Sequence, residues 1–250
     1  MTLFDLSGRV AVVTGANTGI GQAIAIALAT AGASIVAVGR SSMEETQSAV
    51  RAAGAGFHVI KADLGTIEPV KAIVAETIAM FGALDILVNN AGIIRRADAI
   101  DFTEADWDAV MDVNLKTAFF LSQAAARHML TRGSGKIINI ASLLSFQGGI
   151  RIPSYTASKS GLAGLTRLLA CKWAGKGVNV NAIAPGYFVT NNTAALREDP
   201  ERSAGILARI PAGRWGKPSE LGGAAVFLAS HASDYVHGTV LPVDGGWLAR

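Results

Sequence analysis

RVAVVTGANTGIGQAIAIALATAGASIVAVG, residues 9–39, reads as a strand, a glycine-rich turn, a helix and a second strand. Val-rich apolar runs flank a segment of helical period, Ile20 to Ala31, and a further helical period, Ser42 to Ala53, follows. The chain therefore begins as a βαβ unit. Between the first strand and its helix, Gly15, Gly19 and Gly21 remove side chains where the chain must turn. Backbone amides at a helix N-terminus can then approach a pyrophosphate. The spacing is Gly-x-x-x-Gly-x-Gly, and taken alone it also fits simple tight turning.

The same alternation continues along the chain. FHVIKAD, a helix over Val70 to Phe81, LDILVNNAG, a long helix from Thr103 to Thr131 and GKIINIAS come next. PSYTASKSG opens another helix, followed by VNVNAIAPG, a polar loop and helix from about Asn191 to Ala208, a helix from Ser219 to Ser230 and a last strand, TVLPVDGG. Strands that are continuous apolar runs are buried on both faces, the habit of a parallel sheet covered by helices. The expected fold is α/β, a doubly wound seven-stranded parallel sheet in one domain over residues 1–250.

Composition agrees, because 250 residues with 50% hydrophobic and 16% charged content suffice for one large core without a second domain. The 28 glycines have no fixed period, so they punctuate elements and do not signal collagen or low complexity. Net charge is +3, and the 22 Lys and Arg residues form no run longer than Arg95-Arg96. That favours a small-molecule partner over nucleic acid or a membrane. Cys171 is the single cysteine; it falls in an apolar helical pattern and is expected to be a core thiol in a reducing compartment. His58, His128, His231 and His237 lack metal-ligand spacing, so no metal site is expected. MTLFDLSGRVAVVTG carries no secretory pattern and no stretch has the length of a membrane span, so the expected location is the cytoplasm.

In a doubly wound sheet the ligand lies beyond the C-terminal ends of the strands, near the point where strand order reverses. Residues able to do chemistry fall at those ends: Thr14 to Gly21, Gly39 and Arg40, Asp63, Asn89 to Gly92, Ser142, and Pro185 to Thr190. In PSYTASKSG, Tyr155 and Lys159 stand four residues apart, which on a helix puts phenol and ammonium on one face. Such a pair met alone is ordinarily a half-buried aromatic beside a solvated charge. The surrounding motifs change that reading.

Thr14-Gly15-x-x-x-Gly19-x-Gly21, Asn89-Asn90-Ala91-Gly92, Asn114, Ser142, Tyr155-x-x-x-Lys159 and Pro185-Gly186, in this order, resemble the short-chain dehydrogenase/reductase family over essentially the whole chain. The resemblance implies a Rossmann-type fold and an oxidoreductase with a nicotinamide dinucleotide cofactor. Tyr155 would be the general acid/base. An unperturbed phenol has a pKa of about 10, so a cation is needed to favour phenolate, and Lys159 would supply it while also donating to the nicotinamide ribose. Ser142 would hold the substrate oxygen, and Asn114 would anchor a water in a proton relay. Plainer roles compete: Ser142 as a loop cap, Asn114 as a partner for buried backbone groups. The implied cofactor site comprises Gly15, Asn17, Thr18, Gly19, Ile20, Gly21, Arg40, Asp63, Leu64, Asn90, Ala91, Gly92, Tyr155, Lys159, Pro185, Gly186, Phe188 and Thr190. Asp63 would face adenine.

Within the family, NNAGIIRRADA, IINIASLLSFQGGIRIPSYTASKSG, NAIAPGYFVTNNT, RIPAGRWG and VDGGWLAR resemble the bacterial 2-dehydro-3-deoxy-D-gluconate 5-dehydrogenases, also called 2-deoxy-D-gluconate 3-dehydrogenases. This implies a hydroxyl or ketone of a deoxy or keto sugar acid as substrate. Ser142, Ser145, Gln147, Arg151 and Tyr155 are the expected substrate residues, with Arg151 ahead of Arg95, Arg96 and Arg214 for the carboxylate. Asn191 and Asn192 are further donors, and the loop-helix at about 187–215 would cover the substrate. Gly39 stands where an acid would repel a 2′-phosphate, and Arg40 follows, which favours NADP; the sugar-acid resemblance favours NAD. A homotetramer is implied, and helices from Thr103 and Tyr155, apolar on more than one face, suit it. The Gly245 to Arg250 tail would reach towards a neighbouring subunit. Two other readings compete: a 3-oxoacyl carrier-protein reductase, and a non-enzymatic nucleotide-sensing regulator, against which the complete Ser142, Tyr155 and Lys159 set argues.

Overall fold

β1 (Val10–Thr14), α1 (Gly19–Thr30) and β2 (Ser34–Gly39) form the first βαβ unit of the computed structural model, which describes residues 3–250. β1 alternates strictly. Ala11 and Val13 enter one core layer with Ile24 and Leu28 of α1, while Val10 and Val12 enter the other. That is the period-2 consequence of a pleated strand covered on both faces. β3 (Phe57–Lys61), β4 (Ile86–Asn89), β5 (Gly135–Ile140), β6 (Val178–Pro185) and β7 (Val240–Val243) complete the sheet. All seven strands are parallel, in the order β3-β2-β1-β4-β5-β6-β7. Strand order reverses between β1 and β4, which opens a crevice at their C-terminal ends.

One face is covered by α1, α2 (Glu44–Ala52) and α9 (Gly222–Ala229), the other by α3 (Val70–Phe81), α5 (Ala118–Arg132) and α6 (Pro153–Trp173). A buried polar chain crosses this second interface: Asn89 Nδ2 donates to Ser122 Oγ (2.9 Å) and Asn139 Oδ1 (2.8 Å), and Asn139 Nδ2 donates to Thr166 Oγ1 (2.9 Å). With its members satisfied, it pins β4 and β5 to α5 and α6 in one register.

The helix expected from Thr103 to Thr131 is three pieces. α4 (Glu104–Met111) starts at Thr103, whose Oγ1 accepts from Asp106 N at 3.2 Å; a π-helical turn spans residues 112–117, and α5 follows. The widened turn buries Asn114, whose Oδ1 accepts from Ile93 N (2.9 Å) and whose Nδ2 donates to Ile93 O (3.0 Å). A tertiary hydrogen-bond pair, not local propensity, holds this turn open. The helix expected over about Asn191 to Ala208 breaks into α7 (Ala194–Glu198) and α8 (Pro200–Arg209). Pro200 cannot donate within a continuing helix, and Asp199 caps α8 by accepting from Glu201 N and Arg202 N, both at 3.1 Å. The helix expected from Ser219 opens as a 3-10 turn, Pro218–Leu221, before α9.

Cys171 is exposed, not in the core. α6 buries Leu162, Ala163, Thr166, Leu169 and Ala170, and the next side chain points about 100° further round the helix. Among the described residues no helix is long and apolar enough to cross a membrane, and no group of three His, Cys, Asp or Glu could hold a metal ion.

Candidate active site

The turn after β1 lies hard against the end of β4. Gly15 has φ +64°, and its N–H donates to Val38 O at 2.7 Å. A methyl on Gly15 would meet Asn90 Nδ2 at 3.0 Å and Ala91 Cα at 3.1 Å, and one on Gly21 would overlap Gly15 O and Asn90 Nδ2. Asn90 stitches the two strand ends: its N–H donates to Thr14 Oγ1 (2.9 Å) and its Nδ2 to Thr14 O (2.8 Å) and Gly15 O (3.1 Å). α1 opens from this turn with no side-chain cap at Thr18 and no acidic residue in its first turn. Its first amides are left for an anion, and the glycines leave no Cβ in the way, so the turn fits a dinucleotide pyrophosphate.

At the end of β5, Ser142 caps a 3-10 turn over Leu143–Ser145, its Oγ accepting from Leu144 N at 3.2 Å. α6 starts with Pro153, whose fixed φ suits a first helical position. Ser145 Oγ donates to Lys159 O (2.7 Å) and Ser160 Oγ to Leu144 O (3.0 Å), which rivets the start of α6 to that turn. Tyr155 and Lys159 share a face, as the spacing requires. Lys159 is 3% exposed; its Nζ donates to Ile140 O at 2.6 Å and lies 5.7 Å from the Tyr155 ring centroid. Burial pushes the Tyr155 phenol up, opposed by Ser142 and the Arg96 guanidinium, and burial brings Lys159 down to about 8.

Ser142, Tyr155 and Lys159 line a cleft of about 630 Å³ that also takes in the glycine turn, Asn90 to Gly92 and Pro185 to Phe188. Tyr187 stacks edge-on against Trp215 (5.5 Å between centroids) and tilts against Trp247 (4.7 Å). Arg209 lies over Trp247, 3.9 Å from its ring centroid. Arg96, Arg202 and Arg209 all line the cleft.

A short-chain dehydrogenase model described as enoyl-(acyl carrier protein) reductase matches residues 15–248. The 2-dehydro-3-deoxy-D-gluconate 5-dehydrogenase of Escherichia coli K12 is 59% identical over 100% of this chain and 99% of its own. A crystal structure from Agrobacterium tumefaciens, described as a candidate 2-deoxy-D-gluconate 3-dehydrogenase with bound NADP, superposes with a TM-score of 0.95 at 57% identity, covering all of both chains. A gluconate 5-dehydrogenase from Burkholderia cenocepacia, in complex with NADP and tartrate, superposes with a TM-score of 0.93 at 45% identity over 99% of this chain and 98% of its own.

The chain belongs to the short-chain dehydrogenase/reductase family.

This dehydrogenase is an NAD(P)-dependent oxidoreductase. Its fold brings to the cleft Gly15, Asn17, Thr18, Gly19, Ile20, Gly21, Asn90, Ala91, Gly92, Ser142, Gln147, Tyr155, Lys159, Pro185, Gly186, Phe188 and Thr190, together with Asn191 and Asn192. Arg40 and Asp63 stand outside this lining and pair with each other, Nη1 to Oδ2 at 3.6 Å; Leu64 is buried beside them in sequence. Asn114 lies behind the lining, its side chain bonded to the Ile93 main chain and to Ser158 Oγ at 3.3 Å.

Two expected substrate residues do not reach the cleft. Ser145 spends its hydroxyl on the α6 backbone. Arg151, the only described non-glycine residue with positive φ (+62°), turns its side chain to Asp98, Nε to Oδ1 at 3.3 Å. Arg95 and Arg214 are likewise paired, with Asp106 and Glu220. The Gly245 to Arg250 tail packs on its own chain, where Arg250 Nη1 donates to Ala208 O at 3.0 Å. Sequence reasoning placed Tyr187, Arg202 and Arg209 only within the 187–215 cover and singled out none of them, nor Trp247, as a cleft residue. No motif links them, because they come from the end of β6, from α8 and from the turn after β7.

Proposed function

We propose that this dehydrogenase interconverts a secondary hydroxyl and a ketone on a deoxy or keto hexonate, of the 2-dehydro-3-deoxy-D-gluconate or 2-deoxy-D-gluconate type. The observation that carries the reading is the meeting, in one cleft, of a phosphate-cradling turn, the Ser142, Tyr155 and Lys159 group, and a wall bearing three arginines. The relatives named above, sugar-acid dehydrogenases at high identity over full length, support it.

When bound, the nicotinamide cofactor supplies the hydride acceptor or donor. Tyr155 Oη takes the hydroxyl proton during oxidation and returns it during reduction. Ser142 donates to the substrate oxygen and fixes its distance from the phenol. Lys159, held near the phenol by the Ile140 carbonyl, adds positive charge that favours phenolate and can reach a ribose hydroxyl. The Asn114 Nδ2 group donates to both Ile93 O and Ser158 Oγ, so a water beside it is held through the main chain of the π-helical turn. Gly15 to Gly21 bind the pyrophosphate, Arg40 the 2′-phosphate of NADP, and Asp63 and Leu64 flank the adenine. Asn90 to Gly92, Pro185, Gly186, Phe188 and Thr190 complete the cofactor wall. The segment at about 187–215 forms the substrate side of a single domain, and the enzyme works as a cytoplasmic homotetramer.

A nucleotide-sensing regulator has no use for a buried phenol beside a buried ammonium, so the catalytic reading is preferred. The test follows nicotinamide absorbance with a panel of hexonates and an acetoacetyl thioester, under both NADP and NAD. Turnover confined to hexonates supports the proposal. Comparable efficiency on the thioester overturns it in favour of the acyl-carrier reading.

A further inference from the structure

Arg209 is the last residue of α8, and its guanidinium lies over Trp247, Cζ 3.9 Å from the ring centroid. Trp247 is itself fixed. It is 4% exposed, packs with Leu143 and Ile210, and its Nε1 donates to Gln147 Oε1 at 3.1 Å. The turn that carries it is folded back on α8: Ala212 N donates to Gly245 O at 3.0 Å, and Arg250 Nη1 to Ala208 O at 3.0 Å. Gly245 and Gly246 have φ +65° and +90°, and a Cβ on either would meet Ile210 Cγ2 at 2.9 Å or Pro211 Cγ at 3.0 Å. Only glycine lets the turn come this close.

The charge held there is unspent. Among the described residues Arg202 and Arg209 form no ion pair, whereas Arg95, Arg151 and Arg214 each have a carboxylate partner. Arg96, the third arginine of the cleft, donates to Asn192 O at 3.2 Å. Both Arg209 and Arg202 oppose the burial-driven rise of the Tyr187 phenol, which places their positive charge on the cleft wall beside it. A guanidinium stacked on an indole keeps its edge N–H groups free, and those groups match a carboxylate bidentately. The Trp247 bond also orients Gln147: with its carbonyl engaged, the amide presents its NH2 as a donor.

We infer that Arg209, held over the Trp247 ring, binds the carboxylate of the substrate, with Arg202 as a second cation and the Gln147 amide donating to a neighbouring hydroxyl. The inference rests on the sugar-acid reading above and identifies what in this chain selects an acid over a neutral polyol. Trp247 is a positioning residue: it acts through Arg209.

The experiment compares kcat/KM for a hexonate with that for the matching neutral sugar alcohol, in full-length wild type, Arg209→Gln, Arg96→Gln, Trp247→Phe and Trp247→Leu. NADPH fluorescence titration of each variant verifies an intact cofactor site. Arg209→Gln should lower the acid-over-neutral ratio about tenfold or more, chiefly through KM for the acid. Trp247→Leu should reproduce most of that loss, and Trp247→Phe, which keeps a ring beneath the guanidinium, should restore most of it. An unchanged ratio in Arg209→Gln, with collapse in Arg96→Gln, overturns the inference and leaves the sugar-acid reading standing. Equal losses in the two Trp247 variants overturn the part assigned to stacking. Wild type with no preference for the acid overturns the sugar-acid reading and this inference with it.

Discussion

Lys159 Nζ donates to the Ile140 carbonyl across 2.6 Å, and this bond from α6 to the last residue of β5 sets the ammonium 5.7 Å from the centre of the Tyr155 ring. The pair predicted from an i, i+4 spacing is therefore held by a third group, a main-chain oxygen from another element. That oxygen stabilises the ammonium where burial opposes it.

Tyr155→Phe keeps the ring and removes the proton-transferring oxygen. Turnover should fall by at least about a hundredfold, while NADP(H) affinity, read by fluorescence titration, stays near wild type. Because burial raises the Tyr155 phenol, oxidation, which needs phenolate, should climb with pH well into the alkaline range. Reduction, which needs the phenol as acid, should decline over the same range. Near-normal turnover in Tyr155→Phe would remove it from the mechanism.

Burial brings the Lys159 ammonium down to about 8 from its ordinary 10.5. Between those values the unfolded chain binds the extra proton, so stability rises with pH; below about 8 the fold carries a buried ammonium. In thermal unfolding without cofactor, Lys159→Met should gain most over wild type at neutral pH, and the gain should shrink as pH rises towards 10.5. A difference that stays flat across that window counts against a depressed Lys159.

The Arg40 side chain is 69% exposed and lies 3.6 Å from Asp63, an arrangement open enough for a 2′-phosphate to compete for the guanidinium. Arg40→Ala should weaken NADP(H) binding by about tenfold or more and barely change NAD(H). Equal effects on both cofactors would show that Arg40 does not read the phosphate.

On α6, Gly164, Arg167, Leu168 and Cys171 are exposed along one stripe, and Leu168 is half-exposed although apolar. A second subunit on this face would bury it, as a homotetramer requires. Light scattering at micromolar concentration should give a four-chain mass for wild type and a smaller one for Leu168→Glu. A wild-type monomer would sink the assembly proposal.

Local patterns carried much of the fold. The apolar alternation of β1 and β2, the helical period from Ile20 to Ala31 and the glycines between them are consequences of a pleat, a 3.6-residue turn and a missing Cβ, each legible within a few residues. The same locality made the Tyr155 and Lys159 pair legible. Other features answer to partners distant in sequence: the π turn at Asn114 to the Ile93 backbone, the exposure of Cys171 to which face of α6 meets the sheet, and the pairing of Arg151 to Asp98. An arginine's rank as a carboxylate ligand depends on whether an acid already holds it, and no spacing reports that.

The sequence by itself determined a doubly wound sheet, a glycine turn between strand and helix and a phenol one helical turn from an ammonium, because these follow from period, chirality and side-chain size along continuous chain. Only the tertiary structure decided the rest of the cleft wall: Arg209 on Trp247, with Arg202 nearby and Gln147, which the sequence had offered, bonded to Trp247, is assembled by α8, the turn after β5 and the C-terminal turn. Their meeting is settled by packing, which fixes distances that sequence separation does not.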